Sequence, residues 1–165
     1  LYALNRLLHA VTRRAAAKSF TTCCYAVLEP EAGKLTYACA GHFPPLHWSA
    51  RAGRTIEYPM IGGFPLGVRE KASYIAQNVV LGPGDVLVFF TDGMTEAQAP
   101  EHLPPGSDVE PGEQFESDRL TDVVRAHADQ PAQAIHDAIL AAVAGIVAGG
   151  PQTDDITLVV IKVDP

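Results

Sequence analysis

The stretch LGPGDVLVFFTDGMTE, residues 81–96, decides how the chain is read. Gly82-Pro83-Gly84-Asp85 is a turn signal, Val86 to Phe90 is an unbroken apolar run, and Thr91-Asp92-Gly93 ends it on a short carboxylate. A run without polar alternation fits a strand covered on both faces. Such a strand is stiff, so the residue at its C-terminal end, Asp92, is held in a fixed place. A second stretch near the C-terminus has the same grammar. Gly149-Gly150-Pro151 breaks a helix, Gln152-Thr153 follows, and Asp154-Asp155 opens the apolar run Ile156 to Val163. Two buried strands with an aspartate at one end of each can bring their carboxylates to one rim, which is the pattern of a metal site.

With 165 residues, 47% of them hydrophobic and 19% charged, the chain is sufficient for one globular domain with its own core and too short for a second. The net charge of −7 argues against a nucleic-acid partner, and Arg13-Arg14 reads as a solvated helix end. Cys23, Cys24 and Cys39 form no CxxC pattern and read as small hydrophobes in a reducing compartment. No apolar run approaches a membrane span and no signal peptide is evident, so a cytoplasmic protein is expected. The chain opens without Met, inside an apolar pattern at helical spacing (Leu1, Leu4, Leu8, Val11). A fragment of a longer protein is the expectation from that opening.

In chain order, residues 1–17 read as an amphipathic helix. Residues 20–28 and 34–40 form an antiparallel hairpin around the turn 29–33, and Gly41-His42-Phe43-Pro44-Pro45 stops the second strand. A short hairpin over 46–49 and 55–58 follows, then a glycine-punctuated loop, then residues 73–81 leading into the central strand. Residues 97–116 hold four prolines, two glycines and five acidic residues without Lys or Arg. That composition predicts a mobile surface loop, a lid over a site or a tolerated insertion. Ser117 caps a helix carrying Leu120, Val123 and Val124. A second helix begins at Asp129 and Pro131 and carries Ile135, Ile139, Val143 and Ile146 on one face. Strands, then helices, then one last strand read as α+β.

Asp carboxylates at strand ends are hard oxygen ligands suited to Mg²⁺ or Mn²⁺, and two such ions can activate a water for attack on phosphorus. Taken alone, Asp-Gly after a strand is also a common turn, and Asp154-Asp155 also fits a loop cap. The histidines show no paired zinc spacing, and no basic neighbour accompanies Cys23 and Cys24 as nucleophiles.

FTTCCYAVLEPEAGKLTYACAGHFPPL, GGFPLGV, LGPGDVLVFFTDGMTEA and QTDDITLVVIKV, in this order, resemble the bacterial SpoIIE/RsbU-type serine phosphatases of the PPM (PP2C-like) superfamily. The resemblance spans nearly the whole chain. It implies an α+β fold, a β-sandwich of mainly antiparallel strands flanked by helices, with a binuclear Mn²⁺ or Mg²⁺ centre at one end. Asp92 and Asp154 match metal ligands, with Asp155 and Gly93 beside them. His42 matches a recurrent motif, as a substrate-binding candidate or a loop histidine bonded to backbone. The family's first metal motif, a Gly-Asp turn, is not among residues 1–165, so the chain is expected to be the C-terminal majority of a phosphatase domain without its first strands. Residues 115–120, FESDRL, keep Phe115, Arg119 and Leu120 of a further signature.

The implied function is a metal-dependent protein serine/threonine phosphatase. Its implied substrate is a phosphorylated regulatory protein, a STAS-type anti-sigma factor antagonist, with sensor or receiver domains attached upstream. The rival expectation is a non-catalytic module that keeps the fold and binds a signalling partner.

Overall fold

The computed structural model describes residues 1–14, 19–59 and 62–164. The chain, expected as one domain, divides into two compact units, Leu1–Pro44 with Tyr58–Leu81, and Pro45–Glu57 with Gly82–Pro165.

The first unit holds helix α1 (Tyr2–Arg14) and a three-stranded antiparallel sheet in the order β1 (Cys23–Glu29), β2 (Lys34–Ala40), β5 (Gln77–Val80). The expected helix end at residues 15–17 lies outside the described residues. Cys24 faces Cys39 and Glu29 faces Lys34 across the hairpin, which turns through a 3-10 segment ended by Gly33 at φ 57°. Alternate residues of β2, Leu35, Tyr37 and Cys39, are buried, as the period of a strand dictates. Asn5 is fully buried on α1 because it saturates backbone groups. Its amide nitrogen donates to the Arg69 and Glu70 carbonyls, and its amide oxygen accepts the Gly67 N–H.

The second unit is built on the four-stranded antiparallel sheet β4 (Arg54–Ile56), β3 (Leu46–Ser49), β6 (Val86–Phe90), β7 (Leu158–Lys162). The expected central strand is β6, and Val86, Leu87 and Val88 are all fully buried. Val86, Val88 and Phe90 join Leu120 and Val124 of α3 (Glu116–His127) and Ile135, Ile139, Val143 and Ile146 of α4 (Ala132–Val147) in one apolar cluster. The apolar face expected for each helix is the buried one. Neither helix uses the side-chain cap that its sequence offered: α3 starts from Phe115 and α4 from Pro131. Helix α4 ends on Ala148 in the left-handed region at φ 49°, one residue ahead of the glycines expected to stop it.

Two features depart from the expectations. Residues 97–116 are folded back on themselves rather than loose. Ala99 donates to Glu113 O, Phe115 to Ala97 O and Gly112 to Ala99 O, while Ala97, Ala99 and Phe115 are buried. Leu103 and Val109 pack against the same core. These few apolar residues, sparse in the sequence, are spaced to pin both ends and the middle of the segment, so its composition understates its order.

The second departure is the burial of Asp85, which does close the expected turn, its N–H donating to Gly82 O at 3.1 Å. Asp85 is 3% exposed, as is His47. Its carboxylate meets His47 Nε2 at 3.0 Å and accepts the N–H of Ala50 at 2.8 Å and of Gly82 at 2.9 Å. Burial opposes the charge, yet the Gly82 N–H, His47 and the Ala50 N–H together hold the carboxyl below its ordinary value.

Two predictions follow from these departures. Because the folded Asp85 pKa is depressed, its contribution is present above about pH 4 and lost as pH falls through the folded value. In urea denaturation at pH 7, Asp85→Ala loses about 3 kcal/mol, and the gap to wild type narrows in acid. A gap independent of pH would remove the carboxylate's charge from the account. In amide exchange, Ala99, Gly112 and Phe115 exchange more slowly than residues 101–108. Uniformly fast exchange over 97–116 would restore the mobile loop.

Candidate metal centre

The β6–β7 ladder sets the site. Val86 faces Lys162 and Phe90 faces Leu158, so β6 exits where β7 enters. The pairing continues one step past the strands, where Thr91 N–H donates to Thr157 O at 3.1 Å. Antiparallel neighbours therefore carry Asp92, just beyond β6, and Asp154-Asp155, just before β7, to the same rim.

Thr91 fastens the two segments together. Its hydroxyl donates to the Asp155 carbonyl at 3.1 Å and accepts the Thr157 N–H at 2.9 Å. The sequence placed Thr91 inside the motif without a role. The signal was present in the threonines of Thr91-Asp92-Gly93 and Asp155-Ile156-Thr157, but their partnership spans 66 residues and has no local periodicity.

Gly93 is buried, and the reason is steric. A Cβ at this position would stand 2.5 Å from the Asp155 carbonyl oxygen and 3.2 Å from Asp154 Cβ. The resemblance implies that Gly93 lets backbone come close to a metal shell. The observed close approach is that of the 154–155 segment, which Gly93 lets settle against the first turn of the short helix α2 (Asp92–Thr95).

Asp92, Asp154 and Asp155 are all exposed. Each of the first two accepts the N–H of its own successor: Gly93 donates to Asp92 Oδ1 at 3.1 Å, and Asp155 to Asp154 Oδ1 at 2.7 Å. These short-range bonds fix one oxygen of each carboxylate and leave the second without a partner among the described residues. The Asp155 side chain makes no recorded hydrogen bond, and its backbone carbonyl is what meets Thr91.

The donor chemistry fits a hard divalent cation, since the rim offers carboxylate oxygens held on rigid elements. Its number is small. Among the described residues no group of three or more His, Cys, Asp or Glu side chains is gathered tightly enough to hold a metal ion. Asp92 and Asp154 would thus furnish part of a coordination shell, with Asp155 beside them.

His42 belongs to the first unit, half-buried, with its ring centroid 6.2 Å from that of Phe43. Arg119, of the 115–120 signature, is tied to Glu113 at the base of the 97–116 segment. Phe115 and Leu120 are core residues at about 1% exposure or less. Beside the rim, a cavity of about 290 Å³ runs from Gly93 and Thr153 to helix α4.

Comparison with known proteins bears on this arrangement. The family described as stage II sporulation protein E (SpoIIE) matches residues 1–164. The phosphoserine phosphatase RsbU of Bacillus subtilis (strain 168) is 30% identical over 95 residues, 58% of this chain and 28% of that protein. Among solved structures, the SiaA-PP2C domain of Pseudomonas aeruginosa superposes with a TM-score of 0.66 at 21% identity, covering 98% of this chain and 68% of that one. The manganese-presoaked phosphatase domain of SpoIIE from Bacillus subtilis gives 0.60 at 17% identity, over 87% and 56%. At these identities the likeness is one of fold, and the fold is the α+β, PP2C-like one. The chain spans between 20% and 28% of the length of the curated relatives it matches. No described helix is long and apolar enough to cross a membrane.

The steric role of Gly93 is testable by Gly93→Ala. The added methyl must push the Asp155 carbonyl away and so breaks the Thr91 clamp, at a cost of about 1–3 kcal/mol. Thermal and urea denaturation would measure it, and stability within about 0.5 kcal/mol of wild type, the range of a neutral surface change, would contradict the close approach.

Proposed function

The chain belongs to the SpoIIE family, and from that premise we propose that it carries the carboxylate rim of a metal-dependent protein serine/threonine phosphatase. The observation that supports this reading is the meeting of Asp92 and Asp154 at one rim, enforced by the antiparallel β6–β7 pairing, Thr91 and Gly93. The clamp acts through Thr91, which ties the segments that carry the two aspartates across 66 residues, beyond what a turn residue and a loop cap need locally.

Asp92 and Asp154, with Asp155 near, would hold Mn²⁺ or Mg²⁺ of a binuclear centre. Metal bound there would supply Lewis-acid activation of water and neutralise charge on the phosphoryl group. The chain's own residues do the positioning. The successor N–H groups of Gly93 and Asp155 orient one oxygen of each carboxylate. Thr91 keeps the two carrying segments at fixed separation, and the buried strand behind them prevents the rim from yielding. Reaction geometry is sensitive to displacements of an ångström, so this rigidity is where the fold contributes to rate.

The substrate class is a phosphoserine or phosphothreonine on a regulatory protein, a STAS-type anti-sigma factor antagonist, in the cytoplasm, with sensor or receiver domains on the same polypeptide. The RsbU relative is named a phosphoserine phosphatase, which supports that class. One observation favours a second reading, a non-catalytic phosphoprotein-binding module: the described residues gather no third ligand at the rim.

The two readings separate experimentally. In the full-length gene product supplied with manganese, Asp92→Asn and Asp154→Asn each lower phosphoserine hydrolysis by at least about a thousandfold. Both residues are exposed and bond only their own neighbours, so the melting temperature changes little. Near wild-type turnover in Asp92→Asn would sink the ligand assignment. A wild-type protein that binds a phosphorylated partner without releasing phosphate would establish the module.

A further inference from the structure

We propose that the cavity beside the carboxylate rim is a substrate subsite that takes an apolar side chain close to the phosphoserine, an inference that rests on the phosphatase reading above. Its position is the first argument. Gly93 and Thr153 line it, each next in sequence to a rim aspartate, so a peptide whose phosphate lies at Asp92 and Asp154 has neighbouring residues near the cavity.

Its chemistry is the second. None of the residues lining it is charged, and its far wall is an apolar strip of α4, Leu140, Ala144 and Val147. These stand at i, i+4 and i+7, one strip over from the residues that α4 spends on the core, Ile135, Ile139, Val143 and Ile146. Leu140 is 38% exposed and Ala144 is exposed, so these two are apolar without being needed for the apolar cluster behind them, while Val147 packs partly against it. Gln98 and Gln152 also line the cavity. Each uses its amide N–H on a backbone carbonyl, of Gly112 and Asp154 respectively, which leaves a side-chain carbonyl to accept a peptide N–H.

Size and charge fix the occupant. A volume of about 290 Å³ admits one large aliphatic side chain with part of its backbone. The rim carries Asp92, Asp154 and Asp155, and the whole chain carries a net −7, so an acidic residue near the phosphoserine is repelled while Leu, Ile or Met is accepted. The subsite therefore reads the sequence around the phosphate and leaves the phosphate itself to the rim.

The test uses the full-length gene product with manganese and phosphoserine peptides carrying a single Leu or Asp, scanned over about three residues on either side of the phosphoserine. At one or more positions kcat/KM for the Leu peptide exceeds that for the Asp peptide by about tenfold or more, as one side chain in an apolar pocket allows. Ala144→Leu fills the cavity from an exposed helical position and brings that ratio to within about twofold of unity. Leu140→Gln, which keeps helix propensity, lowers it in the same direction. A Leu/Asp ratio near one at every position in the wild type, or a preference that survives both substitutions, overturns the subsite. Para-nitrophenyl phosphate, too small to reach the cavity, separates the two failures. If it is hydrolysed and the peptides show no preference, the subsite alone is wrong. If no phosphoester is hydrolysed, the phosphatase reading fails and takes the subsite with it.

Discussion

The antiparallel pairing of β6 with β7 is the constraint on which the second unit depends. In a parallel pair the two aspartate-bearing ends would stand at opposite edges of the sheet, about 17 Å apart for strands of five residues. Antiparallel pairing converts two separate strand ends into one rim. The register is held at both extremities. At one end Gly84 N–H donates to Val163 O and Val163 N–H to Asp85 O, with Asp85 itself anchored by His47, Gly82 and Ala50. At the other end Thr91 exchanges bonds with Asp155 and Thr157. A slip of one residue would turn Val86, Val88 and Phe90 away from the helices and undo both anchors together.

Stability and site chemistry are thereby assigned to different residues. The polar groups that hold the sheet, Asp85 and His47, are almost wholly buried and satisfied. The carboxylates of the rim are exposed and bond only to their own successors. An exposed carboxylate keeps its contact with water, where charges interact weakly. Its like-charged neighbours cost little in water for the same reason. The scaffold consequently tolerates a concentration of negative charge that a buried site would have to neutralise.

Much of this was legible in the sequence, for reasons that differ by element. The bounds of β2 and β6 follow from punctuation at both ends, and the buried stripes of α3 and α4 follow from period, since Leu120, Val124, Ile135 and Ile139 recur at helical spacing. What escaped was non-local. Asp85 sits in a sequence that any reader would assign to a turn, and its partner His47 is 38 residues away. Asn5 looks like a surface residue of an amphipathic helix until the Gly67, Arg69 and Glu70 backbone comes to meet it. Residues 97–116 were misjudged because composition averages over a segment, whereas order there depends on where Ala97, Leu103, Val109 and Phe115 stand. At the site, Asp92 and Asp154 were readable as strand-end carboxylates. Gly93 was readable as a required glycine, but the Asp155 carbonyl that requires it could be found only in the fold.

On the proposed reading, the rim and the cavity beside it would divide recognition in a way that follows from the charge of the chain. Without a cation, the carboxylates of Asp92, Asp154 and Asp155 would repel an approaching phosphate dianion. A protein with 12 basic and 19 acidic residues cannot gain affinity through a broad basic patch either. Apolar contact would then carry selectivity, and Leu140 and Ala144 of α4 leave apolar surface exposed beside the rim. Apolar burial is short-ranged and indifferent to salt, while the interaction of phosphate with a bound cation is strong and indifferent to sequence. A site that separates the two can discriminate among phosphoproteins without weakening the attraction common to all of them.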